Sequence, residues 1–412
     1  MASIDASAQD NASVASGELL AVHLDGELLK HGLKGELTAA SLKSLSFITR
    51  RPPAMDVSVL PYDAATLEKI RSFRAAGGRT ALAVSHNDDV VKAIARHLGC
   101  FDEVVPATGS RNAVPASGDL RVREWLKALR IHQWVKNALI FMPLLAAHQI
   151  NNAGMILQAV IAVIAFGLCA SSVYVLNDIL DLADDRHHRL KRFRPFASGT
   201  LSITSGLIAF PLLLALSFAI AMASLPPLFS AVLAAYYTLT LTYSMFLKRA
   251  MALDVIALAM LYTLRIFAGV AALGLTLTFW LLAFAMFLFL SLALAKRFAE
   301  VRDALERGRS GKTRGRDYDT KDLDMISSLG AASGYQAVLV LALYIREQST
   351  VALYASPEIL WLACPVLLFW ITRVWMLTHR GQMHEDPVVF AARDWVSQAA
   401  GILFLLTFLA AS

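Results

Sequence analysis

The sequence predicts an all-α polytopic membrane protein with nine transmembrane helices, preceded by a small soluble α/β domain. Three observations carry this. Of 412 residues, 57% are hydrophobic and 17% charged, a balance foreign to a soluble chain of this length. Charges are mixed throughout residues 1–122, whereas long uncharged stretches dominate from Asn137 onward. Beyond that point the basic residues gather in alternate connecting loops. The expected organisation is a disordered lead over 1–17, an α/β domain over 18–120 and a membrane domain over 121–412.

The lead is polar and lacks the apolar core of a signal peptide. Leu19–Leu24 then reads as a strand, 63–75 as a helix stopped by Gly77-Gly78, Thr80–Val84 as a second strand and 88–98 as a second helix. That order points to an α/β arrangement. Cys100, Cys169 and Cys364 are odd in number and far apart, so neither a disulfide framework nor a zinc site is expected.

A membrane helix needs about 20 apolar residues. Uncharged runs occupy 154–176, 202–223, 225–247, 273–295, 329–345 and 395–412, and weaker candidates lie at 132–150, 250–272 and 358–378. With nine spans, loops 177–201, 248–249, 296–328 and 379–394 share one side and carry eighteen Lys and Arg, against one, Arg346, in the opposite loops. The positive-inside rule places the N-terminus and the basic loops in the cytoplasm and the C-terminus outside, in an inner or plasma membrane. The net charge of +6 is thereby a matter of topology, and no nucleic-acid partner is expected. Topology accounts equally well for the charges over 302–321.

It does not account for the acids that follow the second span. Asn177, Asp178, Asp181 and Asp185 recur at helical offsets, which sets them on one helical face. Clustered carboxylates beside a bilayer persist when a cation neutralises them. All-oxygen ligands select a hard ion, and Mg²⁺ shared with substrate phosphates suits them best. Lys191, Arg192 and Arg194 follow at once, the cations that a diphosphate needs beside its metal. Within the fifth span, Asp254 and Arg265 are intramembrane charges and so candidates for function.

Asn-Asp-x-x-Asp-x-x-x-Asp at the end of a second span, in a nine-span chain, resembles the UbiA-type superfamily of intramembrane prenyltransferases. A narrower resemblance rests on Leu129-Arg130-Ile131-His132-Gln133-Trp134-Val135-Lys136-Asn137, Ser172-Val173-Tyr174, Lys191–Pro195, Tyr243, Lys248, Tyr262, Arg265, Gly269, Lys296–Glu300 and Arg393-Asp394. Together these are similar to the polyprenyl-phosphate phosphoribosyltransferases, the decaprenylphosphoryl-5-phosphoribose synthase group. The resemblance implies a UbiA-like helical bundle embedded in the bilayer. It implies Mg²⁺ on Asp178, Asp181 and Asp185, and catalytic cations at Lys191 and Arg194. Substrate contacts fall to Gln133, Lys136, Asn137, Asn177, Arg192, Tyr243, Lys248, Arg265, Lys296 and Arg297.

Aromatic prenyltransferases of the superfamily carry a second Asp-rich motif after the sixth span. Here that position reads Lys296-Arg297-Phe298-Ala299-Glu300. The exchange suits substrates with more phosphate: phosphoribosyl diphosphate and a polyprenyl phosphate. Prenyl transfer from a prenyl diphosphate to an aromatic or other small acceptor is the alternative. A transporter would show matched halves with broken helices, which are not evident.

The N-terminal segment resembles a shortened haloacid dehalogenase-type phosphatase. Asp25 matches that family's second Asp and Ser85 its phosphate-binding hydroxyl, but His23 replaces the nucleophile. The resemblance therefore implies a catalytically dead remnant.

Overall fold

The first apolar segment, Leu19–His23, forms strand β1, and helix α1 (Leu33–Ser44) follows it. Next come α2 (Ala64–Ala75), β2 (Arg79–Val84), α3 (Asp89–Leu98) and β3 (Glu103–Pro106). This is a computed structural model that describes residues 19–30, 32–44, 55–85, 89–107, 118–276, 278–306, 317–352, 354–383 and 386–411. The expected disordered lead over 1–17 lies outside the described residues.

The strands form a parallel sheet in the order β1-β2-β3, with Leu20 opposite Thr80 and Leu82 opposite Val104. β2 is the middle strand, and Thr80 to Val84 are buried. A strand covered on both faces reads as a nearly continuous apolar run, which is what its sequence offers. Asp63 caps α2 by accepting from the Thr66 N–H at 2.9 Å. The strands and helices expected at 19–24, 63–75, 80–84 and 88–98 are each found within a residue. Helix α1 and strand β3 were not legible: α1 mixes charges without an apolar stripe, and β3 is four residues long.

After α4 (Gly118–Ala128) a 3-10 helix runs from Ile131 to Phe141, and α5 covers Met142–Ala146. The remaining helices are α6 (Ala153–Leu180), α7 (Leu182–His187), α8 (Ile203–Ser224), α9 (Pro227–Met245), α10 (Leu253–Leu273), α11 (Phe279–Glu306), α12 (Leu323–Arg346), α13 (Gln348–Val351), α14 (Ala363–His379), α15 (Pro387–Arg393) and α16 (Trp395–Ala411).

Nine spans are expected from the sequence; among the described residues seven helical segments are long and apolar enough to cross a membrane. An eighth arises if α15 and α16, bent by 86°, count as one. The expected span at 132–150 is not one continuous helix. It is a 3-10 helix followed by a five-residue helix. Lys136 and Asn137 are buried on it and take polar partners inside the protein. Pro143 supplies no N–H to carry a helix through.

The chain folds as two units: residues 1–130 with 174–212, and residues 131–173 with 213–412. The acidic motif thus belongs to the unit that contains the sheet. In the second unit α12 presses closely on its neighbours. A Cβ on Gly330 would stand 2.0 Å from the Trp375 ring, and one on Gly334 would stand 2.6 Å from Ile371. Such small-x-x-x-small spacing lets membrane helices approach. Ser291 Oγ donates to the Gly330 carbonyl at 2.7 Å and accepts from Trp375 Nε1 at 2.9 Å, which ties α11, α12 and α14 together.

Candidate active site

In the first unit, α6 brings Asn177 and Asp178 into its last turn. The helix then breaks at Asp181 (φ −96°, ψ 10°), and α7 resumes with Asp185 in its first turn. The single helical face expected from the spacing is therefore interrupted, although Asp185 N–H still donates to the Asp181 carbonyl at 2.8 Å. Asp178 and Asp185 are buried. Arg194 spans both: its Nη1 stands 2.7 Å from Asp185 Oδ2 and 3.2 Å from Asp178 Oδ1. Arg130 adds Nη2 at 2.5 Å from the same Asp178 oxygen and lies 4.9 Å over the Tyr174 ring. Burial pushes the Asp185 carboxyl up, against the pull of Arg194. Lys191 and Arg192 are exposed on the turn before Arg194, with Arg192 stacked on Phe193 at 4.8 Å.

The two buried carboxylates thus converge on one positive centre, the Arg194 guanidinium. Among the described residues no three His, Cys, Asp or Glu side chains form a metal cage. Mg²⁺ does not require one; it is typically held by one or two carboxylates plus substrate phosphates. The donor set fits such an ion, with Asp181 half-buried at the helix break between the other two.

The second unit holds a cationic cluster. Lys136 Nζ lies 2.9 Å and Lys296 Nζ 3.3 Å from Asp386 Oδ2. Tyr262 donates its hydroxyl to the same carboxylate at 2.8 and 3.0 Å. Burial would raise Asp386, but Lys296 and Lys136 hold it well below the usual carboxylate range. Two ammonium groups on one carboxylate leave a net positive charge. Arg265 sits beside this cluster in an aromatic cage, 5.4, 5.1 and 5.3 Å from the rings of Phe166, Tyr236 and Tyr262. It donates to Asn137 Oδ1 at 3.2 Å and to the Tyr236 hydroxyl at 3.1 Å. Gly269 makes this possible, because any Cβ there would meet the Ile140 carbonyl at 2.2 Å.

Other expected contacts are placed differently. Arg297 is fully buried and pairs with Asp254 at 2.7 Å and with Glu300. Asp254 also accepts from the Tyr318 hydroxyl at 2.5 Å. This carboxylate therefore partners Arg297 and Tyr318, and Arg297 is committed to helix packing. Tyr243 is half-buried near the end of α9. Lys248 is half-buried on the turn after α9, and Gln133 half-buried on the 3-10 helix. Asp394 accepts from Arg373 at 2.6 and 3.0 Å and caps α16 through the Ser397 N–H at 2.8 Å.

Asp386 is the site residue that sequence reasoning missed. Its one local signal is an acid before Pro387, which marks a helix N-cap. Nothing local predicts the two lysines.

Residues 138–409 match the model of the UbiA prenyltransferase family. The chain belongs to this family. It is 32% identical to the uncharacterized protein y4nM of Sinorhizobium fredii, over 87% of this chain and 80% of that one. It is 35% identical to the nodulation protein NoeC of Azorhizobium caulinodans, over 66% of this chain and 90% of NoeC. Identity to the decaprenyl-phosphate phosphoribosyltransferase of Mycolicibacterium smegmatis is 28%, over 72% of this chain and 94% of the enzyme. A UbiA homolog from Archaeoglobus fulgidus, bound to DMAPP and Mg²⁺, shares the fold with a TM-score of 0.53 at 16% identity, covering 70% of this chain and 98% of that one. As a UbiA-family member with several apolar spans, the chain is a membrane-bound transferase.

Proposed function

We propose that this UbiA-family protein transfers a 5-phosphoribosyl group from phosphoribosyl diphosphate to a polyprenyl phosphate and releases diphosphate. The observation that carries the reading is the pair of lysines, Lys136 and Lys296, on the single carboxylate of Asp386. Where aromatic prenyltransferases place metal-binding acids, this chain has a site of net positive charge. Such a site suits a substrate that brings its own phosphate. Similarity to the decaprenyl-phosphate phosphoribosyltransferases supports the same choice.

Asp178 and Asp185 would hold Mg²⁺ with Asp181, and Asn177 would orient a ligand or a bound water. When bound, the ion takes up negative charge that builds on the departing diphosphate. Arg194, Arg130, Lys191 and Arg192 would add fixed positive charge beside it, which favours the transition state over the ground state. The bond from ribose C1 to the diphosphate oxygen breaks, and its electron pair leaves with diphosphate. An oxygen of the lipid phosphate then forms the new bond to C1. A phosphate monoester has a second pKa of about 6, so it is anionic near neutrality and needs no strong general base. In the second unit Lys136, Lys296 and Arg265 are the proposed anion contacts, with Gln133, Asn137, Tyr243 and Lys248 as further ones. The basic loops are read as cytoplasmic, which sets this chemistry at the cytoplasmic face.

A second reading is kept because NoeC covers a similar share of the chain and its name specifies no donor or acceptor. In that reading the chain moves a prenyl group to a small acceptor. Transfer of radiolabel from phosphoribosyl diphosphate into an organic-soluble product tests the first reading against the second.

A further inference from the structure

The sheet-containing part of the first unit precedes the residues that match the UbiA family, yet it is tied to the acidic motif. Helix α1 starts where the Asp25 carboxylate accepts from the Leu33 N–H at 2.6 Å. One turn on, Glu36 meets Arg186 in a two-bond pair, Nη1 to Oε2 at 2.9 Å and Nη2 to Oε1 at 2.7 Å. Both side chains are nearly inaccessible, at 4% and 7% exposure. Arg186 is the neighbour of Asp185 on the six-residue helix α7. Its Nε also donates to the Ala197 carbonyl at 3.2 Å, three residues past Arg194. One guanidinium therefore joins α1, the helix that carries Asp185 and the loop that carries Arg194. Close packing supports the joint. A Cβ on Gly35 would touch Ile203 at 3.5 Å, and one on Gly199, itself at φ +84°, would stand 2.9 Å from the Lys30 side chain.

A six-residue helix has little stability of its own. Something outside it must fix where Asp185 points, and Glu36–Arg186 is the buried, charge-assisted contact that does so. We propose that Glu36 is a positioning residue for the acidic motif: through Arg186 it holds Asp185 and the Arg194 loop in the arrangement that receives the divalent cation. The inference rests on the metal reading given above. It gives the preceding α/β segment a task that needs no phosphatase chemistry, and it gives Asp25 the role of a helix cap.

The test is Mn²⁺ binding to the purified full chain in detergent, followed by electron paramagnetic resonance without substrate. Residues that support metal ligands from outside typically change affinity by roughly 10–100-fold. Glu36→Gln is expected to weaken Mn²⁺ binding about tenfold by this measure, and Glu36→Asp, which keeps the charge, to recover part of the loss. Lys43→Ala breaks the exposed pair to Asp184 and is expected to leave Mn²⁺ binding as in wild type. If Glu36→Gln does not give monodisperse protein, Glu36→Asp is read in its place. Wild-type Mn²⁺ affinity in a folded Glu36 variant overturns the inference alone. Absence of Mn²⁺ binding to wild-type protein, with inorganic diphosphate added as well as without it, overturns the metal reading and the inference with it.

Discussion

Lys136 on the 3-10 helix and Asp386 before α15 meet at 2.9 Å, although most of the membrane segment separates them in sequence. Lys296 shares the same oxygen at 3.3 Å. The carboxylate holds together two cations that would otherwise repel. Removing one member of a buried ion pair costs about 3–5 kcal/mol, because the other charge is left unpaired. Asp386→Ala is therefore expected to lose stability of that order in detergent melts. Tyr262→Phe removes one hydrogen bond to a charged group and should lose only about 1.5–3 kcal/mol. Equal losses would show that Asp386 does not organise the cluster.

Arg297 and Asp254 give a contrasting prediction. They are fully buried and committed to each other, to Tyr318 and to Glu300. Arg297→Leu alone should cost about 3–5 kcal/mol. The combined change Asp254→Leu, Arg297→Met and Tyr318→Phe replaces the network by apolar packing, which is often neutral or stabilising by about 1–4 kcal/mol. Transferase activity in that variant should stay near wild type. A collapse of activity in stable protein would return Arg297 to the substrate site.

At the acidic motif, Asp178→Asn and Asp185→Asn should each lower turnover by about 10²–10³-fold, the usual scale for removing a preorganised electrostatic group. Chelation with EDTA should abolish turnover, and added Mg²⁺ should restore it. Arg194→Gln removes the charge whose Nη1 meets both Asp178 and Asp185, so it should fall well below wild type, and Arg194→Lys, which keeps the charge on one nitrogen, should recover part of the loss. Activity that survives EDTA would remove the metal from the account.

Gly269→Ala places a Cβ against the Ile140 carbonyl. The backbone must shift, at a cost of about 1–3 kcal/mol for overpacking. The 3-10 helix that holds Lys136 and Asn137 moves with it, so activity should fall along with the melting temperature. Gly401, where an added Cβ would meet nothing within 4 Å, is the control and should tolerate Ala.

Much of this was legible in sequence because its signals are local. The apolar runs gave most of the spans, and the spacing of Asp178 and Asp185 gave the acidic motif. The segment 132–150 is apolar enough in composition for a span, but it is built from a 3-10 helix and a five-residue helix instead of one long helix, and composition does not distinguish the two. Asp386 and the Glu36–Arg186 pair were hidden for another reason. Each is one ordinary acid whose partner is far off in the chain, and only the fold brings them together. Arg297 looked like Lys296 beside it, but successive helical residues face different ways, and one meets Asp386 while the other meets Asp254.

The most direct measurement of the central claim is a two-donor assay on one purified preparation with Mg²⁺. One arm receives radiolabelled phosphoribosyl diphosphate and a polyprenyl phosphate; the other receives a radiolabelled prenyl diphosphate and aromatic acceptors. Phosphoribosyl transfer predicts label in the organic phase of the first arm, dependent on lipid, Mg²⁺ and intact Asp178, and no acceptor prenylation in the second. Prenylated acceptor in the second arm, with no organic-phase label in the first across several lipid lengths, would contradict it.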